Sequence, residues 1–198
     1  ATVNANNHIS GKNVEGIYAN SGYVTSHSVS TSEFTYTGPV GMSRYPLTYA
    51  FDGNPKTFFA SSVNNSDTYN DTIEITFNEP ISLEAIIIHA SYGAGTITGA
   101  LPTFHGFPIL FCAYTSLDNS PYELAAVFET NPAPPTAFQF VLPNLIKCDK
   151  LKLEFADVTI QTASYGNGPA KNLIIGELIF IRHLFISGES IYSNVGYT

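Results

Sequence analysis

The chain has 198 residues, of which 44% are hydrophobic and only 12% are charged. That balance excludes a wholly disordered chain, because disorder needs low hydrophobicity and high charge. The formal net charge is −8, and the eight Lys and Arg residues are scattered along the sequence. A surface that follows a phosphate backbone needs clustered cations, so we expect no nucleic-acid partner. No apolar run approaches the roughly 20 residues of a membrane helix, so we expect no membrane insertion.

The first 47 residues are rich in Ser, Thr, Asn, Gly and Tyr and predict an extended lead-in with short strands at Tyr23–Ser28 and Glu33–Thr37. Thr72–Phe77 alternates apolar and polar residues with the period of a half-buried strand. The tripeptide Asn78-Glu79-Pro80, which follows this strand, predicts that the strand ends there. Further strand-like runs are Leu83–His89, Ile109–Thr115, Tyr122–Phe128, Ala137–Leu142, Lys150–Phe155, Val158–Thr162 and Leu173–Ile181.

The pattern as a whole predicts an all-β fold. No segment keeps apolar residues at helical spacing for three turns, and about eight short strands separated by turn signals are typical of an antiparallel β-sandwich. We predict one sandwich domain at residues 23–187, with a lead-in segment at 1–22 and a tail at 188–198. The 90–108 loop is unusually long for a loop without a function. Two cysteines, Cys112 and Cys148, are too few for a disulfide scaffold, and the sequence leaves their pairing open.

One turn has the composition of a cation site. Asp52-Gly53-Asn54-Pro55 is a turn by residue type, and with Thr57 it places a carboxylate, an amide and a hydroxyl on one short loop. Hard cations such as Ca²⁺ take six to eight oxygen ligands, many of them backbone carbonyls that such turns expose. Local chemistry leaves two interpretations open, a Ca²⁺ site and a plain turn capped by Asp52.

The segment around this turn, Ala50–Phe59, resembles the opening signature of the coagulation factor 5/8 type C (discoidin) domains and of the related family 32 carbohydrate-binding modules. Tyr114–Tyr122 is similar to the family's Ser-x-Asp-Gly-x-x-Trp hairpin, with Asn119 in place of Gly and Tyr122 near the Trp position. The segments that resemble the family's later strands, in the same order, are Thr72–Phe77, Leu83–His89, Lys150–Phe155 and Gly176–Phe180. The resemblance covers about residues 45–182.

The resemblance implies a jelly-roll β-sandwich of the galactose-binding type, with a structural Ca²⁺ in many members. By position, Asp52 and Glu177 would supply side-chain oxygens. The other implied ligands are carbonyl or hydroxyl oxygens of Phe51, Asn54, Thr57 and Gly176. Such an ion would tie the first loop to the last strand. The alternative is that Glu177 is an ordinary surface carboxylate.

Sugar-binding members of the family often follow the signature with a stretch similar to Trp-His-Thr-x-Trp. This chain has Phe58-Phe59-Ala60-Ser61-Ser62 there and contains no Trp. Sugar recognition still needs a flat apolar face for the ring C–H groups and planar polar groups for the hydroxyls. The candidate ligand-binding residues on the predicted loops are Arg44, Tyr45, Asn64, Tyr69, His89, Tyr92, His105 and Phe107.

These features favour a non-catalytic, lectin-like module that binds a glycan or glycoprotein through loops at one end of the sandwich. Such modules are typical of secreted or cell-surface proteins, and sequons that begin at Asn64 and Asn70 agree with that location. The alternative is a protein-interaction, structural or adhesion domain on the same fold, with a protein partner and no sugar binding. We expect no catalysis, since the sequence has no nucleophile elbow, His-Glu-x-x-His motif or phosphate-binding loop.

Overall fold

The computed structural model describes most of the chain, with gaps at its loops and ends. The residues described are 8–10, 12–13, 24–29, 35–38, 41–54, 57–62, 69–91, 106–130, 137–159, 171–186 and 189–195. Before residue 45 and after residue 182 the backbone alone is described.

Strands dominate the described residues. They are β1 (His8–Ser10), β2 (Lys12–Asn13), β3 (Val24–Val29), β4 (Thr35–Gly38), β5 (Gly41–Arg44), β6 (Phe59–Ala60), β7 (Asp71–His89), β8 (Pro108–Ser116), β9 (Glu123–Glu129), β10 (Ala137–Val158), β11 (Ile174–Ile175), β12 (Glu177–Ile186) and β13 (Glu189–Val195). A short 3₁₀ helix at Leu47–Phe51 precedes the predicted cation turn.

Two long strands, β7 and β10, organise the sandwich because each takes part in both of its layers. The first part of β7 pairs antiparallel with the last part of β10, for example Ile73 with Leu153, and the last part of β7 pairs with the first part of β10, for example Ile88 with Phe138. Strands β3 and β8 extend the first layer on either side. Strand β9 follows β8, while β12 and β13 extend the second layer beyond β7.

The predicted break at Asn78-Glu79-Pro80 is a break in pairing, while the strand itself continues. The tripeptide is exposed and has no register partner on β10, yet β7 runs through it. Proline cannot donate to a ladder, so it is tolerated where the chain bends from one layer to the other. The matching register shift in β10 lies between Cys148 and Lys150, and a second shift lies between Val141 and Ile146. Strand β10 runs through both, so two strands that were predicted to be separate are one.

The chain ends contain more regular structure than predicted. Strands β1 and β2, from the predicted lead-in, pair with β9 and β10, and β13, from the predicted tail, pairs with β12. The predicted run Leu173–Ile181 is divided at Gly176 into β11 and β12. The domain boundaries themselves stay a prediction.

Aromatic rings from the two layers meet in one core. The ring centroids of Phe111 in β8 and Phe140 in β10 lie 4.8 Å apart, edge to face, and those of Phe77 and Phe180 lie 5.2 Å apart in the same arrangement. Contacts of this kind require the two layers to face each other, so the predicted all-β sandwich is confirmed. The two thiols take no part in cross-linking, because Cys112 and Cys148 are both free.

Substitution of Phe111 tests how much this core contributes to stability. Phe111 is 0% exposed and also contacts Phe128 and Phe155. Phe111→Ala leaves a cavity, so we expect the free energy of unfolding to fall by about 3–5 kcal/mol in urea titrations. Leu145→Ala is the control, because that side chain is 42% exposed and its removal should change the free energy by less than about 0.5 kcal/mol. Equal losses in the two variants would contradict this location of the core.

Candidate functional site

The bases of two long loops meet at one end of the sandwich. At its centre the N–H of Gly106 donates to the carbonyl of Thr159 at 3.1 Å, and the N–H of Ile174 donates to the carbonyl of Gly106 at 2.9 Å. Gly106 has a φ of +69°, and a Cβ there would lie 2.3 Å from the carbonyl oxygen of Asn172. Only glycine fits this position without displacing the neighbouring backbone. The loop that precedes β8 is therefore fixed against the chain that leaves β10 and the chain that enters β11.

A buried carboxylate ties a further loop to the same end. Asp71 is 1% exposed, and its Oδ2 accepts hydrogen bonds from the hydroxyls of Ser61, at 2.6 Å, and of Tyr69. The Ser61 Oγ also accepts from the N–H of Leu173 at 2.9 Å, and the Ser61 N–H donates to the Leu173 carbonyl. The two ends of the segment between β6 and β7 are thus joined to each other and to the chain before β11.

The predicted cation turn has a defined local geometry. Gly53 has a φ of +71°, and the N–H of Asn54 donates to Asp52 Oδ1 at 2.9 Å. The Thr57 hydroxyl lies 2.8 Å from Asp52 Oδ2 and 2.9 Å from the Asn54 carbonyl. The Asp52 carboxylate therefore caps the turn, as the simpler interpretation predicted, and Asp52 is exposed. Phe51 fixes the turn to the sandwich, since its ring stacks on that of Phe180 in β12 with centroids 6.4 Å apart.

Glu177, the first residue of β12, is buried beside this turn. It is 0% exposed, and neither carboxylate oxygen has a hydrogen bond within the described residues. Burial, together with the neighbouring Asp52 carboxyl, raises the pKa of Glu177 to about 8, and the N–H groups of Gly53 and Asn54 partly oppose the shift. The interpretation of Glu177 as a surface carboxylate is wrong. A buried carboxylate that lies beside a second carboxylate, and whose oxygens accept no hydrogen bond from the described residues, is a site that a cation would satisfy.

Gly176 brings Glu177 to this place. Its N–H donates to the carbonyl of His89 at 2.8 Å, and a Cβ at this position would lie 2.8 Å from the carbonyl oxygen of Ala90. Any side chain here would push β12 away from the end of β7. The glycine predicted as a metal ligand is therefore also required by close backbone packing.

Three of the predicted ligand-binding residues are interior side chains. Tyr69, His89 and Phe107 are 6%, 1% and 1% exposed. His89 donates from Nδ1 to the Ala90 carbonyl at 3.0 Å, and burial lowers its pKa, while the Phe107 ring packs on Phe138 with centroids 5.0 Å apart. Burial and the Asp71 carboxylate raise the pKa of Tyr69, so its hydroxyl stays a donor. All three support the loop bases rather than face solvent.

Among the other predicted ligand-binding residues, Tyr45 has a described side chain. Tyr45 is half-buried and stacks on Phe58, with ring centroids 4.6 Å apart and an angle of 18° between the planes. Arg44, whose backbone ends β5, directly precedes it. Asn64, Tyr92 and His105 lie outside the described residues. The sequence prediction missed Asp71 and Ser61, because nothing in their local pattern marks a buried hydrogen-bond network between residues ten positions apart.

Comparison with solved structures identifies the architecture. The chain is similar to the third family 32 carbohydrate-binding module of a family 31 glycoside hydrolase from Clostridium perfringens, with a TM-score of 0.62 and 17% identity over 82% of this chain and 93% of that one. It has the family 32 module fold. The family 32 module of NanJ from the same organism, solved with galactose, gives a TM-score of 0.54 and 15% identity over 78% of this chain and 91% of that one.

The family 32 fold also matches part of a longer structure. The chain spans about a third (35%) of a two-module piece of Clostridium perfringens ZmpB solved with GalNAc, at a TM-score of 0.58 and 16% identity over 82% of this chain. No protein-family model matches the sequence, and no curated protein does. The described residues include no helix long and apolar enough to cross a membrane. They also include no group of three His, Cys, Asp or Glu side chains with metal-binding geometry, so a cation at Glu177 would need backbone or hydroxyl oxygens as well.

The raised pKa of Glu177 predicts how stability depends on pH in chelator-treated buffer. The unfolded chain releases this proton near the ordinary Glu value of 4.5, and the folded chain keeps it until about pH 8. The unfolded state therefore holds fewer protons in that window, and the free energy of unfolding should fall as pH rises from about 4.5 to 8. Urea titrations at pH 5, 6, 7 and 8 measure this.

Glu177→Gln should remove this part of the pH dependence, because the amide does not ionise. Glu123→Gln removes the same charge from an exposed position and should keep the wild-type slope. A Glu177→Gln variant whose stability falls as steeply as that of the wild type would show that the buried carboxylate is not the titrating group.

Proposed function

We propose that this chain is a non-catalytic carbohydrate-binding module of a secreted or cell-surface protein, and that loops at one end of the sandwich contact the glycan. The observation that supports this most strongly is the convergence of the loop bases at Gly106, Ser61 and Gly176, within the family 32 fold. Loops on a rigid β scaffold are the usual place for binding residues.

The chemistry at this end suits a sugar. Tyr45 lies on Phe58 as a supported ring, and a supported ring loses little conformational entropy when a ligand stacks on it. Arg44 directly precedes Tyr45, and Tyr92 and His105 belong to the loop that Gly106 anchors. By residue type, the planar polar groups match the hydroxyls of a pyranose and the aromatic rings match its C–H face. The similar modules of known structure include ones solved with galactose and with GalNAc, which supports the ligand class.

We also propose a structural Ca²⁺ between the turn and β12. Asp52 and Glu177 would supply carboxylate oxygens, and Thr57 its hydroxyl oxygen. The carbonyls of the remaining predicted ligands, Phe51, Asn54 and Gly176, are close in sequence to these groups. A bound Ca²⁺ supplies positive charge that neutralises two adjacent carboxylates. The ligand set fits, since hard cations prefer oxygen and the Glu177 carboxylate oxygens accept no hydrogen bond within the described part of the chain.

Calcium should stabilise the wild-type domain. At a Ca²⁺ concentration about a hundredfold above Kd we expect Tm to rise by about 5–10 °C over EGTA-treated protein, because only the folded chain binds the ion. Differential scanning calorimetry measures the shift. Glu177→Gln and Asp52→Asn should lose it, while Glu123→Gln should keep it. An identical Tm in Ca²⁺ and in EGTA for the wild type would exclude the ion from this site.

A glycan array probed in Ca²⁺ and in EGTA tests the main proposal. We expect selective binding to one class of sugar, and a loss of at least about tenfold in affinity for Arg44→Ala, Tyr92→Ala and His105→Ala. Glu123→Gln is the matched surface control and should bind as the wild type does. A folded, Ca²⁺-loaded sample that binds no glycan contradicts the proposal and favours a protein partner on the same fold.

A further inference from the structure

The first layer of the sandwich has an outer face that the loop site does not use. In β10, Leu151 and Leu153 point into the core and Lys152 points outward. Lys152 is in register with Tyr114 of β8 on one side and with Glu74 of β7 on the other. Because neighbouring strands lie about 4.8 Å apart, this row of three residues crosses the layer over about 10 Å, perpendicular to the strands.

Two tyrosine rings enclose the lysine on this face. The Lys152 Nζ lies 4.6 Å from the centroid of the Tyr114 ring and 5.1 Å from that of the Tyr122 ring. Both rings are half-buried, and Tyr122 comes from the hairpin end that precedes β9. A cation over a ring face restrains both groups, so the two rings are held in place before any ligand arrives.

The charges on this face are balanced at short range. Lys152 forms an ion pair with Glu154 at 2.8 Å, and both side chains are partly exposed, at 21% and 37%. An anionic ligand would meet Glu154 and Glu74, and a cationic one would meet Lys152. Glu74 leaves the wider face slightly negative, but the Lys152–Glu154 pair is itself neutral and offers both donors and acceptors, which suits a neutral ligand rich in hydroxyls.

The tyrosine hydroxyls add to this set of polar groups. Burial, together with the nearby Cys112 and Glu154, raises the pKa of Tyr114 to about 12. The phenol therefore stays protonated at neutral pH and can both donate and accept a hydrogen bond. Leu124, the register partner of Tyr114 in β9, adds a half-buried apolar surface beside the ring.

We propose that this tyrosine face, formed by Tyr114, Tyr122, Lys152 and Glu154, is a second carbohydrate-binding surface that takes an extended, neutral stretch of polysaccharide. The two rings provide apolar faces for the sugars, and the Lys152–Glu154 pair hydrogen-bonds their hydroxyls. The tyrosine face is separate from the loop site, because none of its four residues belongs to the loops that converge on Gly106.

Affinity electrophoresis of the whole chain tests the proposal, in native gels that contain arabinogalactan, galactomannan or mixed-linkage β-glucan. We expect at least one polysaccharide to retard the wild type. The double variant Tyr114→Ala/Tyr122→Ala should lose at least about tenfold in affinity. Lys152→Met keeps the aliphatic stem but removes the ammonium, and it should weaken retardation about threefold or more.

The matched control is Tyr114→Phe/Tyr122→Phe, which keeps both rings and should retain most of the retardation. Circular dichroism and Tm confirm that each variant is folded. Arg44→Ala separates this surface from the loop site, because it should lose array binding and keep gel retardation. The proposal is overturned if no gel retards the wild type, if the double Ala variant migrates as the wild type does, or if Arg44→Ala alone abolishes retardation. In the last case the loop site alone would account for the binding of polysaccharide.

Discussion

The antiparallel pairing of β7 with β10 is the constraint on which the rest of the structure depends. The two strands stay in register on both sides of their bends, from Asp71 opposite Phe155 to His89 opposite Ala137. The Asp71 carboxylate accepts a hydrogen bond from Ser61, and the His89 carbonyl accepts one from the N–H of Gly176. The two ends of β7 therefore position the chain segments that contain Ser61 and Gly176. The placement of the loops follows from this pairing and from the aromatic core that holds the two layers together.

The sequence predicted most of the strands, because their causes are local. Alternation in Thr72–Phe77 and the β-branched run before His89 are visible without any tertiary information. The continuation of β7 through Asn78-Glu79-Pro80 was not predictable, since Pro and Asn favour a turn. Only the neighbouring strand decides whether the strand ends there or merely loses its pairing. The paired ends of the chain were missed for a related reason: short polar strands such as Lys12–Asn13 depend on a partner already in place.

The candidate sites were likewise predictable only where their cause is local. Asp52 and its turn were evident from composition, whereas Glu177 was found only through the family resemblance, because 125 residues separate the two and no local pattern links them. Tyr69, His89 and Phe107 are the residue types that sugar sites use, but their burial depends on how Gly106 and Asp71 hold the loops down. Pairing between Tyr114 and Lys152 likewise depends on the register of β8 with β10, which no single segment determines.

The charged groups at Glu177 and at the tyrosine face differ in how far they are removed from water. At Glu177 burial removes a carboxylate from water beside another carboxylate, and the energetic cost persists unless a proton or a cation is bound. At the tyrosine face the charges lie near the surface and are already paired, so their role there is to orient rings and to offer hydrogen bonds. The proposed Ca²⁺ would therefore make the position of the loop end depend on ion occupancy, whereas the tyrosine face needs no ion. A polysaccharide that reached both surfaces would bind the second one at a high effective concentration, so two weak contacts in one domain would give an affinity that neither provides alone.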